Sequence, residues 1–328
     1  MSKFNIKKLV FCLVIIMVAS FTIGLFLLGL SGFDFENGSC YALSRMYNQK
    51  IDEKKIASLE GIREILITTQ STDIKIIPTN ESRLTAQLHG SFSSLQKDYR
   101  PMVTAIAEGP ELKIQILNND GFFRGSLKLD IYLPEQYTYG LGIVSASGDI
   151  IYNSVTELDN ITLSTSSGDI TGKSITVKKG TVESSSGDIH IHGSFEDIDC
   201  RTSSGDIVGE IVKSQKTKLK TTSGNIICKG EPGNADFHST SGDLNLEYLT
   251  FKNSLTAGCT SGNINLKLPQ DAQFNFNFHT TSGDIMVSKA FLLTRKGIDD
   301  NKHLQGSVGT ENNHIVLETT SGDIRISD

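Results

Sequence analysis

The 328-residue chain has no tryptophan, only six prolines, and no excess of positive charge: 31 Lys and Arg stand against 37 Asp and Glu, a formal charge of −6. Without a basic stripe there is no electrostatic footprint for nucleic acid, and the acidic balance serves solubility. The five cysteines, Cys12, Cys40, Cys200, Cys228 and Cys259, include no CxxC pair, so the common zinc and dithiol signatures are missing. No nucleophile elbow, zinc-protease motif or phosphate loop occurs either. This composition fits a single extended extracytoplasmic domain without cofactor.

What is present is a repeat. Ser-Gly-Asp-Ile, or a close variant, recurs nine times from Ser147-Gly148-Asp149 onward. The later corners are Gly168-Asp169, Gly187-Asp188, Gly205-Asp206, Gly224-Asn225, Gly242-Asp243, Gly262-Asn263, Gly283-Asp284 and Gly322-Asp323. The glycine spacings are 20, 19, 18, 19, 18, 20, 21 and 39 residues, the last close to two periods with one copy degraded. A period near 20 marks a stacked array whose units bury their apolar edges only against one another.

Aligned on the glycine, the position five before reads Ile143, Leu163, Val182, Cys200, Leu219, Phe237, Ala257, Phe278 and Leu317. The position two after is aliphatic in every copy, from Ile150 to Ile324. Polar residues fill the positions between. Alternation of period two on both sides of a Gly-Asp corner means strand, turn, strand, and a helical period of 3.6 is absent. The expected fold is all-β: a single-domain β-solenoid of ~19-residue coils stacked roughly 4.8 Å apart. About four buried aliphatic positions per coil, at roughly 1.5–3 kcal/mol each, cannot alone order 19 residues costing roughly 1–2 kcal/mol apiece. The coils must lean on one another.

At the corner, glycine suits positive φ, while Ser and Asp side chains can bond nearby backbone N–H groups. A stacked column of aspartates would repel itself, so the carboxylates either cap their own turns or share cations. Asn225 and Asn263 keep a turn bond but lose the charge a cation needs, which favours capping over a Ca²⁺ ladder. These residues are read as structural turn motifs, not as catalytic, cofactor or metal sites.

Before the repeats, Leu9–Leu30 is a run of 22 residues without a charge, preceded by Lys3, Lys7 and Lys8. As a helix it would cover about 33 Å, enough for the hydrocarbon core of a bilayer. The positive-inside bias puts residues 1–8 in the cytoplasm and the remainder outside, on a single-pass transmembrane anchor at 9–30. A cleaved signal peptide ending near Gly29-Leu30-Ser31 is the rival reading. Residues 31–59 are read as an extracytoplasmic stalk, with a short helix over Ile51–Leu59 as an option. The solenoid domain covers 60–328, with a worn first corner at Ser71-Thr72-Asp73-Ile74 and regular repeats over 141–328. An insertion at Thr294–Asn313, rich in Gly, Asp, Asn and Lys, is read as a mobile loop.

Few residues could carry chemistry. Cys200 and Cys228 occupy inward columns, and Cys259 stands where other copies have Ser or Thr; small buried thiols are favoured over a disulfide. His190 and His192 face outward together, but a metal would need a third ligand. His238 and His279 share an outward column with one coil, bearing Gly258, between them, too far apart for one ion. Glu183 and Arg201, followed by Lys218 and Lys220, read as a solvated charge ladder rather than a polysaccharide-cleaving cluster.

The recurrent Ser-Gly-Asp-Ile corners, the Ile65-Leu66-Ile67…Asp73-Ile74-Lys75-Ile76 segment and the Leu133-Pro134 and Leu268-Pro269 strand ends resemble one bacterial family. It is the DUF4097 adhesin-like family, which includes LiaG-like envelope proteins of Gram-positive bacteria. The resemblance covers roughly residues 60–328. It implies a β-solenoid displayed outside the membrane, without catalysis. The repeated outward Ser, Thr, Asn and charged groups point to a surface-exposed adhesin-like or structural rod, with a cell-wall polymer or envelope protein as partner. A role as accessory to envelope-stress signalling is the alternative, and a polysaccharide-cleaving enzyme a more distant one.

Overall fold

The computed structural model describes residues 33–34, 39–40, 46–117, 123–154, 157–291, 293–295, 302–310 and 313–328. They form strands and turns without a helix, and 25 of the strands join one sheet. The segment 1–8, the expected anchor Leu9–Leu30 and Cys12 lie outside the described residues. Among the described residues no helix is long and apolar enough to cross a membrane.

The chain divides into two compact units. One draws on residues up to Ile51, Ser91–Pro101 and Asn118–Ser126, so residues 60–328, expected as one domain, contribute to both. Within it, Phe92 and Tyr99 meet edge-on with ring centroids 5.8 Å apart, and the Gln49 side-chain amide donates to the Lys97 carbonyl at 3.0 Å. The strand Tyr47–Ala57 occupies much of the stretch expected as stalk or short helix. Its exposure alternates with period two over Gln49, Ile51 and Glu53, a strand pattern that a helix would not produce.

The larger unit, Asp52–Gly90, Met102–Leu117 and Leu127–Asp328, is the expected stack of parallel strand–corner–strand coils. Ile143 pairs in register with Leu163, Leu163 with Val182, Val182 with Cys200 and Cys200 with Leu219. Each of these side chains is fully buried. The column after the corner, Ile150, Ile170, Ile189, Ile207, Ile226, Leu244, Ile264 and Ile324, is equally buried. Ile285, the ninth member, is half-buried because Ile285–Val287 pairs only with Ile324–Ser327 at the end of its column.

Stacking order departs from chain order at both ends. Leu255–Ser261 pairs with His314–Ser321, which pairs on its other side with Phe274–Ser282. The Gly322 coil therefore lies between the Gly262 and Gly283 coils. Among its described residues, the 39-residue gap holds antiparallel strands and no degraded copy; the chain makes the outer coil first and returns to fill the inner place. The N-terminal part behaves alike: Glu64–Thr69 pairs with both Gly140–Ser145 and Glu111–Leu117. The Ser71–Ile74 corner is thus a true coil, second from its end.

The insertion expected as a mobile loop holds strands. Leu293–Arg295 and Phe274–Ser282 both pair antiparallel with His303–Val308. An end strand offers a row of unpaired N–H and C=O groups, and an antiparallel strand satisfies them. Leu304 and Val308 are buried, which gives this cover an apolar grip despite its polar composition.

Candidate functional site

The corner residues come together as one ladder, and each link runs between coils rather than within a turn. The Asp149 side chain accepts the Asp169 N–H at 2.9 Å, Asp169 that of Asp188 at 2.9 Å, and Asp188 that of Asp206 at 2.9 Å. The series continues through Asn225 on Asp206 (2.7 Å), Asp243 on Asn225 (2.9 Å) and Asn263 on Asp243 (2.7 Å). It ends with Asp323 on Asn263 (2.9 Å) and Asp284 on Asp323 (3.0 Å). Self-capping is therefore corrected to capping of the next coil. Asn serves as well as Asp because the link requires an acceptor oxygen and no charge. Among the described residues, no group of three His, Cys, Asp or Glu is placed to hold a metal ion.

The glycines are required by contact more than by φ. A Cβ on Gly187 would lie 1.9 Å from the Gly168 carbonyl oxygen, and one on Gly168 2.2 Å from that of Gly148. Neither has a left-handed φ; among the corner glycines only Gly242, Gly262 and Gly322 reach 152–157°. The hydroxyls three before each glycine complete the floor. Thr202 donates to Gly187 O at 3.1 Å, Thr221 to Gly205 O at 3.0 Å and Ser239 to Gly224 O at 2.9 Å. These are buried polar groups with partners, as burial demands. Cys259 interrupts the row, and its Sγ contacts Thr319 Oγ1 at 3.3 Å.

Above this floor runs a polar groove of about 740 Å³. One wall is the column Ser164, Glu183, Arg201, Lys220, His238, Gly258, Glu318 and His279, in that spatial order. Two coils therefore separate His238 from His279, where chain order implied one. Beside the wall stands a file of exposed hydroxyls, Ser166, Ser185, Ser203, Thr222, Thr240 and Thr260, repeating at the coil spacing of roughly 4.8 Å.

The charges of the wall are held by a neighbouring outward column. Arg201 grips Asp199 through Nε at 2.9 Å and Nη2 at 2.6 Å, while its contact with Glu183 is 3.9 Å. The hydrogen bonds and charge of Asp199, with Glu183 behind them, raise the Arg201 pKa further. Lys220 reaches Asp236 at 3.3 Å, and Lys218 reaches Asp199 at 3.9 Å. Sequence reading paired Arg201 with Glu183 and passed over Asp199 and Asp236. The available signal was the i, i+2 spacing, which puts Asp199 and Arg201 on one strand face.

Other candidates stay apart from this groove. Cys200 and Cys228 are buried free thiols, and burial pushes both up, Cys228 to about 12. His190 and His192 border a separate cleft of about 530 Å³ with Lys173, Ser174 and Glu210. A register shift between Gly172 and Ile175 throws Ser174 outward with φ 55°.

A search of curated proteins finds no match. Similar solved structures include a "putative adhesin" from Parabacteroides distasonis, 12% identical, covering 84% of this chain and 97% of that one with a TM-score of 0.49. One from Parabacteroides merdae is 13% identical over 84% and 96%, TM-score 0.49. Another from Bacteroides fragilis is 14% identical over 85% and 98%, TM-score 0.45. The family model described as Toastrack DUF4097 matches residues 62–327, almost the whole of the stacked region. The chain belongs to the Toastrack DUF4097 family.

Proposed function

We propose that this protein is a non-catalytic, adhesin-like binding protein of the cell envelope, whose groove takes an extended, hydroxyl-rich polymer such as a cell-wall polysaccharide. The observation that carries the reading is the groove itself: a polar trough in which hydroxyls and charged groups repeat at one interval over successive coils. A repetitive ligand can make the same contact at each step, and many weak contacts sum along its length. The uncharged run Leu9–Leu30 supplies the anchor in this reading, with the stacked coils held outside the membrane.

Catalysis on such a polymer finds little support in the wall. Its two carboxylates, Glu183 and Glu318, are five coils apart, about 24 Å at strand spacing. Glycoside hydrolysis places its carboxyl pair within roughly 5–9.5 Å.

The test is retention of the protein on purified cell wall, compared with a variant carrying Arg201→Gln, Lys220→Gln, Thr222→Ala and Thr240→Ala. All four positions are outward, so the fold should survive, which circular dichroism would verify. The reading expects the variant to wash off at lower salt. Equal retention of both proteins rejects it.

A further inference from the structure

Building on that reading of the groove, we propose that its ligand is an acidic polysaccharide and that His238 and His279 make retention rise as pH falls. The groove wall carries Arg201 and Lys220 against Glu183 and Glu318, so with neutral imidazoles its formal charge is 2 − 2 = 0. Protonating His238 and His279 takes it to +2. Histidine is the side chain whose ordinary titration falls between pH 5 and 8.

The histidines are placed to act at one end of the groove. Gly258 leaves the wall without a side chain, and a Cβ there would lie 2.9 Å from His238 Cε1 and 3.6 Å from the Glu318 carbonyl oxygen. The His238 ring therefore lies across the Gly258 gap toward the Glu318 coil. Its other neighbours are Lys220, in register on the preceding coil, and Asp236 on its own strand at 3.8 Å. Asp236 also holds Lys220, at 3.3 Å. His279 stands in register with Glu318 on one side and with His303 on the antiparallel cover strand on the other. The His279 and His303 rings are 5.7 Å apart. His279 thus stands between Glu318 and His303, and His238 lies two coils from Glu318, across the Gly258 gap.

At high pH this end presents Glu318 with uncharged donors and acceptors, which suits neutral hydroxyls. Protonated, His238 beside Asp236 and His279 beside Glu318 can give charge-assisted hydrogen bonds to acidic groups on a ligand.

The experiment compares retention of the detergent-solubilised full chain on immobilised polygalacturonate and on neutral amylose, at pH 5.5 and pH 8. Wild type and a His238→Gln/His279→Gln variant run side by side. Because the two proteins differ only at these two imidazoles, their difference separates the groove histidines from the loss of negative charge elsewhere on the chain. Wild type should hold polygalacturonate roughly fivefold more strongly at pH 5.5 than at pH 8, as two screened charge pairs would give. The variant should lose most of that increment while keeping the pH 8 retention, and amylose should respond equally little in both. An equal pH increment in the two proteins, or stronger retention on amylose than on polygalacturonate at pH 5.5, overturns the proposal while leaving the groove reading intact. Retention on neither polymer at either pH overturns both.

Discussion

Glu318 and His279 stand side by side on adjacent parallel strands although they are 39 residues apart in sequence. Their neighbourhood exists because the last coil enters the stack one place from its end, and it completes the groove wall between Gly258 and His279. Stacking order, more than chain order, decides which side chains share a surface.

The corner glycines have no room for a side chain. In Gly187→Ala the added methyl would sit 1.9 Å from the Gly168 carbonyl oxygen, against backbone that is itself hydrogen-bonded. The expected loss is about 3 kcal/mol, the upper end for overpacking. Gly61→Ala is a contrasting control: nothing lies within 4 Å of its Cβ, and its cost comes from φ of 76° alone. Urea unfolding of the two variants would show whether contact or backbone conformation governs the corner.

Aspartate at the corner acts through an oxygen. Asp188→Asn should cost well under 1 kcal/mol, since Asn225 and Asn263 already make the same link. Asp188→Ala leaves the Asp206 N–H without its acceptor and should cost about 1–2 kcal/mol. Chelation with EDTA should not move the midpoint. A clear drop on chelation would show that cations bind the corners after all.

The buried thiols should be silent in the native state. Burial pushes Cys200 and Cys228 well above the ordinary thiol range, so little thiolate forms at pH 8. In a chain with Cys12 and Cys40 replaced by serine, labelling of Cys200 and Cys228 with an aromatic disulfide should stay slow until urea unfolds the chain. Cys259→Thr should restore the hydroxyl row represented by Thr202 and Thr221 and be neutral or stabilising by about 0.5–1 kcal/mol. Differential scanning calorimetry measures the sign directly.

Alkaline pH should weaken the fold. Burial pushes the Tyr152 hydroxyl from 10.0 up to about 12, with a bond to Ser154 pulling the other way. Between these values the unfolded chain releases the proton while the folded one keeps it, so unfolding is favoured as pH rises. The contribution is intact below pH 10 and is lost as pH climbs toward 12. Tyr152→Phe removes this titration; urea midpoints at pH 9 and pH 11 should differ less in the variant than in wild type.

The columns from Ile143 to Leu317 and from Ile150 to Ile324 were legible in the sequence because strand alternation and a period near 20 leave one consistent way to face inward. The Ser71–Ile74 corner was legible for the same reason. The direction of the Asp bonds was not, since a side chain at a corner can reach its own turn or the next with similar geometry. The place of the Gly322 coil was also hidden: coils with interchangeable apolar edges fit in any order, and the 39-residue interval suited a worn copy as well as a return. The strand His303–Val308 escaped because its polar composition masks the two inward residues, Leu304 and Val308. The hydroxyl file of the groove was visible as Ser and Thr before each glycine, but its union with the wall into one trough needed coordinates.

The most direct test is a cysteine cross-link across the inserted coil, in a chain whose native cysteines are replaced by serine. Thr256 and Val316 are in-register neighbours on adjacent outward positions, close enough for a disulfide. Thr256→Cys with Val316→Cys should oxidise to a link within one chain, mapped by non-reducing digestion and mass spectrometry. Thr256→Cys with Asn277→Cys, one coil further apart, should not link. A link in the second pair and none in the first would mean that the coils follow chain order, and the groove described around Glu318 would not exist.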